Sequence, residues 1–271
     1  MDRHTRDAAK RALAAGTAAI VVEVEQAQGS APRGVGTRML VTLGEACGTV
    51  GGGHLELKAL QTAHAMLAAS ATAPRSDHYP LGPALGQCCG GAVTLTYAPL
   101  TAELLARWPA SAPLFHLQLY GAGHVGRAIA TVLATLDATV DWIDEREAQF
   151  PGMTTLSSPW PAHIRKVCVD AVEGEVRHAP AGAFYLVLTH EHNLDLRITE
   201  AILKRGDFGY LGLIGSRTKR QRFLHRYEQR GIAAEVLARM TCPIGIEGIG
   251  GKQPELLALA VVAQLLQAAR A

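Results

Sequence analysis

Residues 115–144, FHLQLYGAGHVGRAIATVLATLDATVDWID, compress a strand, a glycine turn, a helix and a second strand into 30 positions. No other stretch restricts the fold as tightly, because each of its glycines answers a separate steric demand. Gly121 permits the tight turn after the strand, Gly123 lets backbone N–H groups approach a pyrophosphate, and Gly126 lets the helix pack closely on the sheet. Asp144 closes the second strand at about the 20-residue spacing at which a carboxylate meets a ribose hydroxyl. The hydrophobic strand before the turn and the apolar helix at 125–136 supply the context that a bare GxGxxG lacks. The segment predicts a Rossmann-type unit with a phosphate site at the turn; a glycine-rich β–α turn without a ligand is the blander alternative.

Strands are legible at 114–120, 139–143, 164–169, 184–189 and 210–214, with helices after the first, fourth and fifth, which predicts a doubly wound parallel sheet. Pro151, Pro159 and Pro161 leave little room for an ordinary helix between the second and third strands. Pro254 suits the first position of a helix, and residues 255–269 are apolar nearly all round. That helix is expected to be buried, against the sheet or against the N-terminal domain.

At 271 residues the chain exceeds a typical single domain, so two are expected. Pro99, Pro109 and Pro113 place the division near residue 110, giving domains of 1–110 and 111–271. The first is predicted to be a small mixed α/β domain. A helix rich in charge and alanine precedes a β-branched run at 18–25, a Gly/Pro loop at 28–36 and a strand at 38–43 that completes a hairpin. Thr49 and Val50 lead into Gly51-Gly52-Gly53 and a helix over 54–69; residues 74–91 read as irregular, and 93–97 as a short strand. A net charge of +2 makes no electrostatic case for nucleic acid or membrane. The N-terminus lacks the apolar core of a secretory signal, and no run is long enough to span a bilayer. Cys88 and Cys89 are adjacent, with Cα atoms about 3.8 Å apart where a relaxed disulfide needs at least about 4.4 Å. Reduced thiols and a cytoplasmic location are therefore expected.

Parallel sheets bind ligands outside the carboxyl ends of their strands. Gly121, Gly123, His124, Gly126, Asp144, the loop THEHNLD and Gly215 to Lys219 all fall there. His190, His192 and Asp195 could ligate a metal, but Asp195 reads more simply as the N-cap of a helix over 196–205. Ser216 is a natural N-cap for the next helix. Arg217, Lys219 and Arg220 in its first turn oppose the helix dipole, at about 0.3–1 kcal/mol each. Either a bound anion or solvent screening answers that conflict. In the N-terminal domain, TVGGGHLE repeats the strand, glycine turn and helix start, and the N–H groups of Gly51, Gly52, Gly53 and His54 can form an anion nest. QCCGG sets Cys88 and Cys89 in a glycine-flanked turn, where thiolates suit a soft metal or a persulfide; zinc is disfavoured without a CxxC pair. Cys47, Cys168 and Cys242 read as structural. CPIGIEGIGGKQ is not a P-loop, because Gln253 stands where a hydroxyl residue is required, which leaves contact with an anion or domain docking.

Taken in order, QGSAPRGVGTRM, GTVGGGHLE, LGQCCGG, YGAGHVGRAIA, DEREAQF, THEHNLD, YLGLIGSRTKR and CPIGIEGIGGKQPELLALA closely resemble the XdhC/CoxI family of xanthine dehydrogenase accessory proteins, over about residues 18–266. The resemblance implies an XdhC/CoxI domain followed by a Rossmann domain, and a chaperone for the molybdenum cofactor in its molybdopterin form. Such a chaperone holds the cofactor while a cysteine desulfurase supports exchange of an oxo ligand for sulfur, then delivers it to apo xanthine dehydrogenase. The implied partners also include the enzymes of molybdenum-cofactor biosynthesis and a second copy of the chain, as a homodimer. The glycine loops at Gly51–Gly53 with His54 and at Gly121–Gly126, Asp144, and the cluster Ser216, Arg217 and Lys219 are then expected to hold the cofactor. Cys89 is the first choice for contact with molybdenum and Cys88 the alternative. Whether the Rossmann crevice takes the cofactor or a separate nucleotide stays open. The competing reading is an NAD(P)-dependent oxidoreductase, which accounts for the fingerprint and Asp144 but leaves QCCGG and GTVGGGH without a task. A nucleotide-sensing interaction module is the third.

Overall fold

In a computed structural model that describes residues 3–81, 90–108, 112–152 and 159–270, the chain divides into two units, Met1–Ala112 and Pro113–Ala271. The first contains α1 (Arg3–Ala14), β1 (Ile20–Gln28), β2 (Arg38–Val41), β3 (Ala46–Gly48), α2 (Gly53–Ala68), β4 (Arg75–Pro80), β5 (Ala92–Pro99) and α3 (Ala102–Ala106). Its antiparallel sheet runs β3-β2-β1-β5-β4. Alternation along β1 divides the core between the two faces of the sheet. Ile20, Val22 and Val24 pack with Leu55, Ala59 and Ala63 of α2, while Val21 packs with Ala9 and Ala12 of α1 and with Trp108. The expected hairpin is β1 with β2, in register at Ile20 with Val41. Thr49 and Val50 lie beyond the end of β3 and not in a strand. The strand β4 falls where an irregular segment was expected. Its residues RSDHYP carry no apolar alternation, because it is an edge strand held by backbone pairing to β5.

The second unit contains β6 (His116–Tyr120), α4 (His124–Leu133), β7 (Thr139–Asp144), β8 (Ile164–Cys168), β9 (Phe184–Val187), α5 (His192–Arg205), β10 (Tyr210–Leu213), α6 (Arg217–Gln229), α7 (Ala234–Ala238), β11 (Met240–Thr241) and α8 (Pro254–Ala268). The parallel sheet has the order β11-β10-β9-β6-β7-β8, with the direction of winding reversing between β6 and β9. Leu117 and Leu119 of β6 and Leu186 of β9 face the layer of α4 and α8, whereas Tyr120, Tyr185 and Val187 face that of α5 and α6. The helix α8 begins at Pro254, and its Ala258, Val261 and Leu265 are buried beside Ile129, Ala130 and Leu133 of α4. Between β7 and β8 there is a 3-10 turn, Glu147–Gln149, with Phe150 and Trp160 packed edge-on against the buried Trp142 at 5.3 and 5.2 Å. Among the described residues no helix is long and apolar enough to cross a membrane.

Candidate functional site

The carboxyl edge of the parallel sheet gathers most of the expected site residues. At the glycine turn the three fingerprint positions separate cleanly. A Cβ on Gly121 would lie 2.4 Å from the Leu188 carbonyl oxygen, and its φ of +120° is one that side chains rarely adopt. On Gly126 a Cβ would lie 2.0 Å from the Gly121 oxygen, so only glycine lets α4 start this close to the turn. An added Cβ on Gly123 meets nothing within 4 Å. That glycine caps α4 without a side chain, and the open space before it leaves the unpaired N–H groups of the first helical turn approachable. His124 is exposed beside it. The turn itself is clamped: Arg127 Nε donates to the oxygens of Ala122 and Gln149, and Trp142 Nε1 donates to Gly121 at 3.0 Å.

Asp144 ends β7 as expected, 5% exposed, but its oxygens are already engaged. Oδ2 accepts from the Ala122 N–H at 2.6 Å and from Arg146 at 3.0 Å; Oδ1 accepts from the Arg146 N–H and Nε, each at 2.9 Å. Burial alone would raise its pKa, yet the Arg146 side chain and the backbone donors of Ala122 and Arg146 together hold it below the ordinary carboxylate range. A ribose hydroxyl would have to displace one of these donors.

Next along the edge, Asp195 lies inside the first turn of α5 and not at its cap, which is Glu191. The carboxylate is 1% exposed. Oδ1 accepts from the N–H and hydroxyl of Thr189, and Oδ2 from Lys219 Nζ at 2.6 Å, so one residue of α5 ties the loop after β9 to the first turn of α6. Ser216 caps α6 by accepting from the Lys219 N–H at 3.2 Å, as its position predicts. Lys219 therefore does not oppose the helix dipole unpaired; its ammonium turns inward to Asp195 and to the Ile214 carbonyl at 2.8 Å. A cleft of ≈ 560 Å³ opens over this pair, lined also by Thr189, His190, His192, Arg222 and Arg226. Arg217 is exposed at the helix start and does not line it. Thr189 and His190 also line a narrow gap leading to Gly121 and Asp144, so the two halves of the edge adjoin. The neighbouring His190 Nε2 stands 3.6 Å from Glu145 Oε1. Among the described residues no group of three or more His, Cys, Asp or Glu side chains is placed to hold a metal ion.

In the first unit Gly51, Gly52 and Gly53 have φ of +139°, +73° and +58°, a run open only to glycine. The nest they form already holds an anion from the chain itself. Glu56 Oε2 accepts from the N–H groups of Val50 and Gly52 at 3.2 and 3.1 Å and from the Thr49 hydroxyl. Gly53 and His54 remain exposed. Cys88 and Cys89 lie outside the described residues. Of the thiols read as structural, Cys242 is buried but Cys168 is exposed. In the glycine–lysine loop, Gly245 is docked to α8 through Gln264, which accepts from the Gly245 N–H at 2.9 Å and from the Tyr210 hydroxyl at 2.7 Å.

Sequence reasoning missed Arg222 and Arg226, although a helix starting at Ser216 puts Thr218, Arg222 and Arg226 on one face by their spacing of four. It also missed Glu56 and Arg146, whose partners are set by turn geometry that no motif records.

Two family models cover most of this architecture: one described as the XdhC Rossmann domain matches residues 117–265, and one described as the XdhC and CoxI family matches residues 12–78. The chain belongs to the XdhC and CoxI family. YqeB of Escherichia coli K12, described as uncharacterized, is 30% identical over 256 residues. That alignment takes in 91% of this chain but 43% of YqeB, so the chain spans less than half the length of this relative. A Bacillus halodurans crystal structure titled as a xanthine dehydrogenase superposes with a TM-score of 0.75 and 17% identity, covering 98% of this chain and 96% of the other. At that identity the likeness is one of fold.

Proposed function

We propose that the chain is a carrier for the molybdenum cofactor in its molybdopterin form, holding it during sulfuration by a cysteine desulfurase and passing it to apo xanthine dehydrogenase. Family membership supports the client, and the fit of the crevice supports the cargo. The observation that carries the reading is an open, cationic edge: the bare Gly123 turn on one side and Lys219, Arg222 and Arg226 on the other. Molybdopterin ends in a phosphate, and amide donors at a helix start together with fixed cations suit such a group. The resemblance implies a thiol contact to the metal–sulfur centre, for which Cys89, or Cys88, is the candidate because thiolate is a soft ligand.

The oxidoreductase reading is favoured by the strand order, which is that of dinucleotide-binding sheets. It is disfavoured by Asp144, whose acceptor positions are taken by Ala122 and Arg146. The two separate on purification from a host that makes molybdopterin, with molybdenum and pterin assayed beside native mass spectrometry. A carrier retains close to one equivalent of molybdenum per chain, and Cys89→Ala lowers it. Bound NAD without molybdenum rejects the carrier, and unchanged retention and delivery in Cys88→Ala, Cys89→Ala and the double variant removes the thiol role. Light scattering on the same material reads the proposed homodimer.

A further inference from the structure

The cleft over the carboxyl ends of β9 and β10 carries a charge arrangement that the glycine fingerprint does not account for. An ammonium group has three N–H donors. For Lys219, Asp195 takes one at 2.6 Å and the Ile214 carbonyl a second at 2.8 Å, which leaves the third for a guest. Among the described residues Asp195 is the only carboxylate lining the cleft, and its other oxygen is occupied by Thr189. Arg222 and Arg226 lie one turn apart on the same wall, where like charges repel, and neither has an ion-pair partner among the described residues. Lys219, Arg222 and Arg226 against Asp195 leave an excess of two positive charges. The Lys219 side chain, 11% exposed, is fixed between Asp195 and Ile214, and the solvent-exposed Arg222 and Arg226 stand beside it, able to close on an anion.

We infer that this cleft is a phosphomonoester site, in which Lys219, Arg222 and Arg226 take the phosphate. A phosphate monoester carries about −1.5 to −2 near neutral pH, which matches the excess. Arginine pairs bind phosphate through paired N–H groups, and the Ser216 and Thr218 hydroxyls on the same wall add donors. The volume of ≈ 560 Å³ leaves room for an organic group beyond the phosphate. Phe223 gives that group an apolar wall. The inference deepens the carrier reading and rests on it only in naming the owner of the phosphate, pterin cargo or a separate mononucleotide.

Calorimetric titration of the full chain with phenyl phosphate tests the site. Saturable binding at one per chain is expected, weakened by about tenfold or more in Arg222→Ala/Arg226→Ala. Both arginines are exposed, so the double variant should retain its fold, which circular dichroism checks. Absence of saturable binding at millimolar phenyl phosphate, or equal affinity in the double variant, overturns the site. Molybdenum content is read in parallel on protein from a molybdopterin-making host. If phenyl phosphate and molybdenum are lost together, the phosphate is the cargo's. If phenyl phosphate is lost and molybdenum kept, the site serves a separate phosphorylated ligand. Wild-type protein that binds phenyl phosphate yet never holds molybdenum sinks the carrier reading and leaves the site standing.

Discussion

Gly123 and Gly126 sit three residues apart on one turn and answer to different constraints. A methyl group on Gly126 would have to share space with the Gly121 carbonyl, and neither backbone can yield without moving α4 off the sheet. Gly126→Ala is expected to lower stability by about 3 kcal/mol, read as a drop in Tm. Gly123→Ala should change Tm little, since its φ of −69° and the open space before it accept a side chain, but should weaken retention of an anionic guest. Asp144 makes a second residue-scale prediction. Its folded pKa lies below the unfolded value of about 3.9, so the stability it contributes is present above that pH and lost as the pH falls through the folded value. Asp144→Asn should therefore be less stable than wild type at pH 7, by about 1–3 kcal/mol, and should lose less on acidification below about pH 4. Equal acid slopes in denaturant titrations of the two proteins would contradict this. The residues that sequence could name were those whose chemistry is local. Ser216 as a cap and Pro254 at a helix start follow from their neighbours alone, whereas the meeting of Asp195 with Lys219 spans 24 positions and two loops.

At the scale of elements, the periodic signals held and the polar edges did not. Strands β9 (FYLV) and β10 (YLGL) are apolar runs buried at every position because both faces of a parallel sheet are covered there, and such runs stand out from turns, whereas β8 (IRKVC) at the end of the sheet is largely exposed. The strand β4 has no such signal, since hydrogen bonding to β5 and not burial makes it a strand. The glycine turn before α2 shows the same limit. GTVGGGH is readable as a nest, but only the fold reveals that Glu56, one turn into α2, curls back as its anion. Glu56→Ala should therefore free the Val50 and Gly52 amides. Hydrogen exchange at those two amides is expected to accelerate, with a stability loss of about 1–2 kcal/mol. Unchanged exchange would mean that the glycine conformations hold the turn without the carboxylate.

For the whole molecule, each unit buries apolar clusters of its own. In the first, helices cover both faces of an antiparallel sheet; in the second, α4 with α8 and α5 with α6 cover the two faces of a parallel one. A chain with two self-sufficient cores should yield folded pieces. Residues 113–271 expressed alone are expected to unfold cooperatively on heating, and a non-cooperative melt would show that this unit needs its neighbour.

The one-dimensional pattern by itself determined the strand–turn–helix unit at 115–144, the doubly wound sheet and the family to which the chain belongs. These are written in hydrophobic period and in glycines whose steric limits act within a few residues. Tertiary structure alone decided which charges meet: that Asp144 is spent on Ala122 and Arg146, that Glu56 fills its own nest, and that Asp195 draws Lys219 inward while Arg222 and Arg226 stay unmatched. Periodicity and glycine sterics are short-range and recur along the chain, whereas an ion pair depends on where two loops end in space, which sequence spacing does not encode.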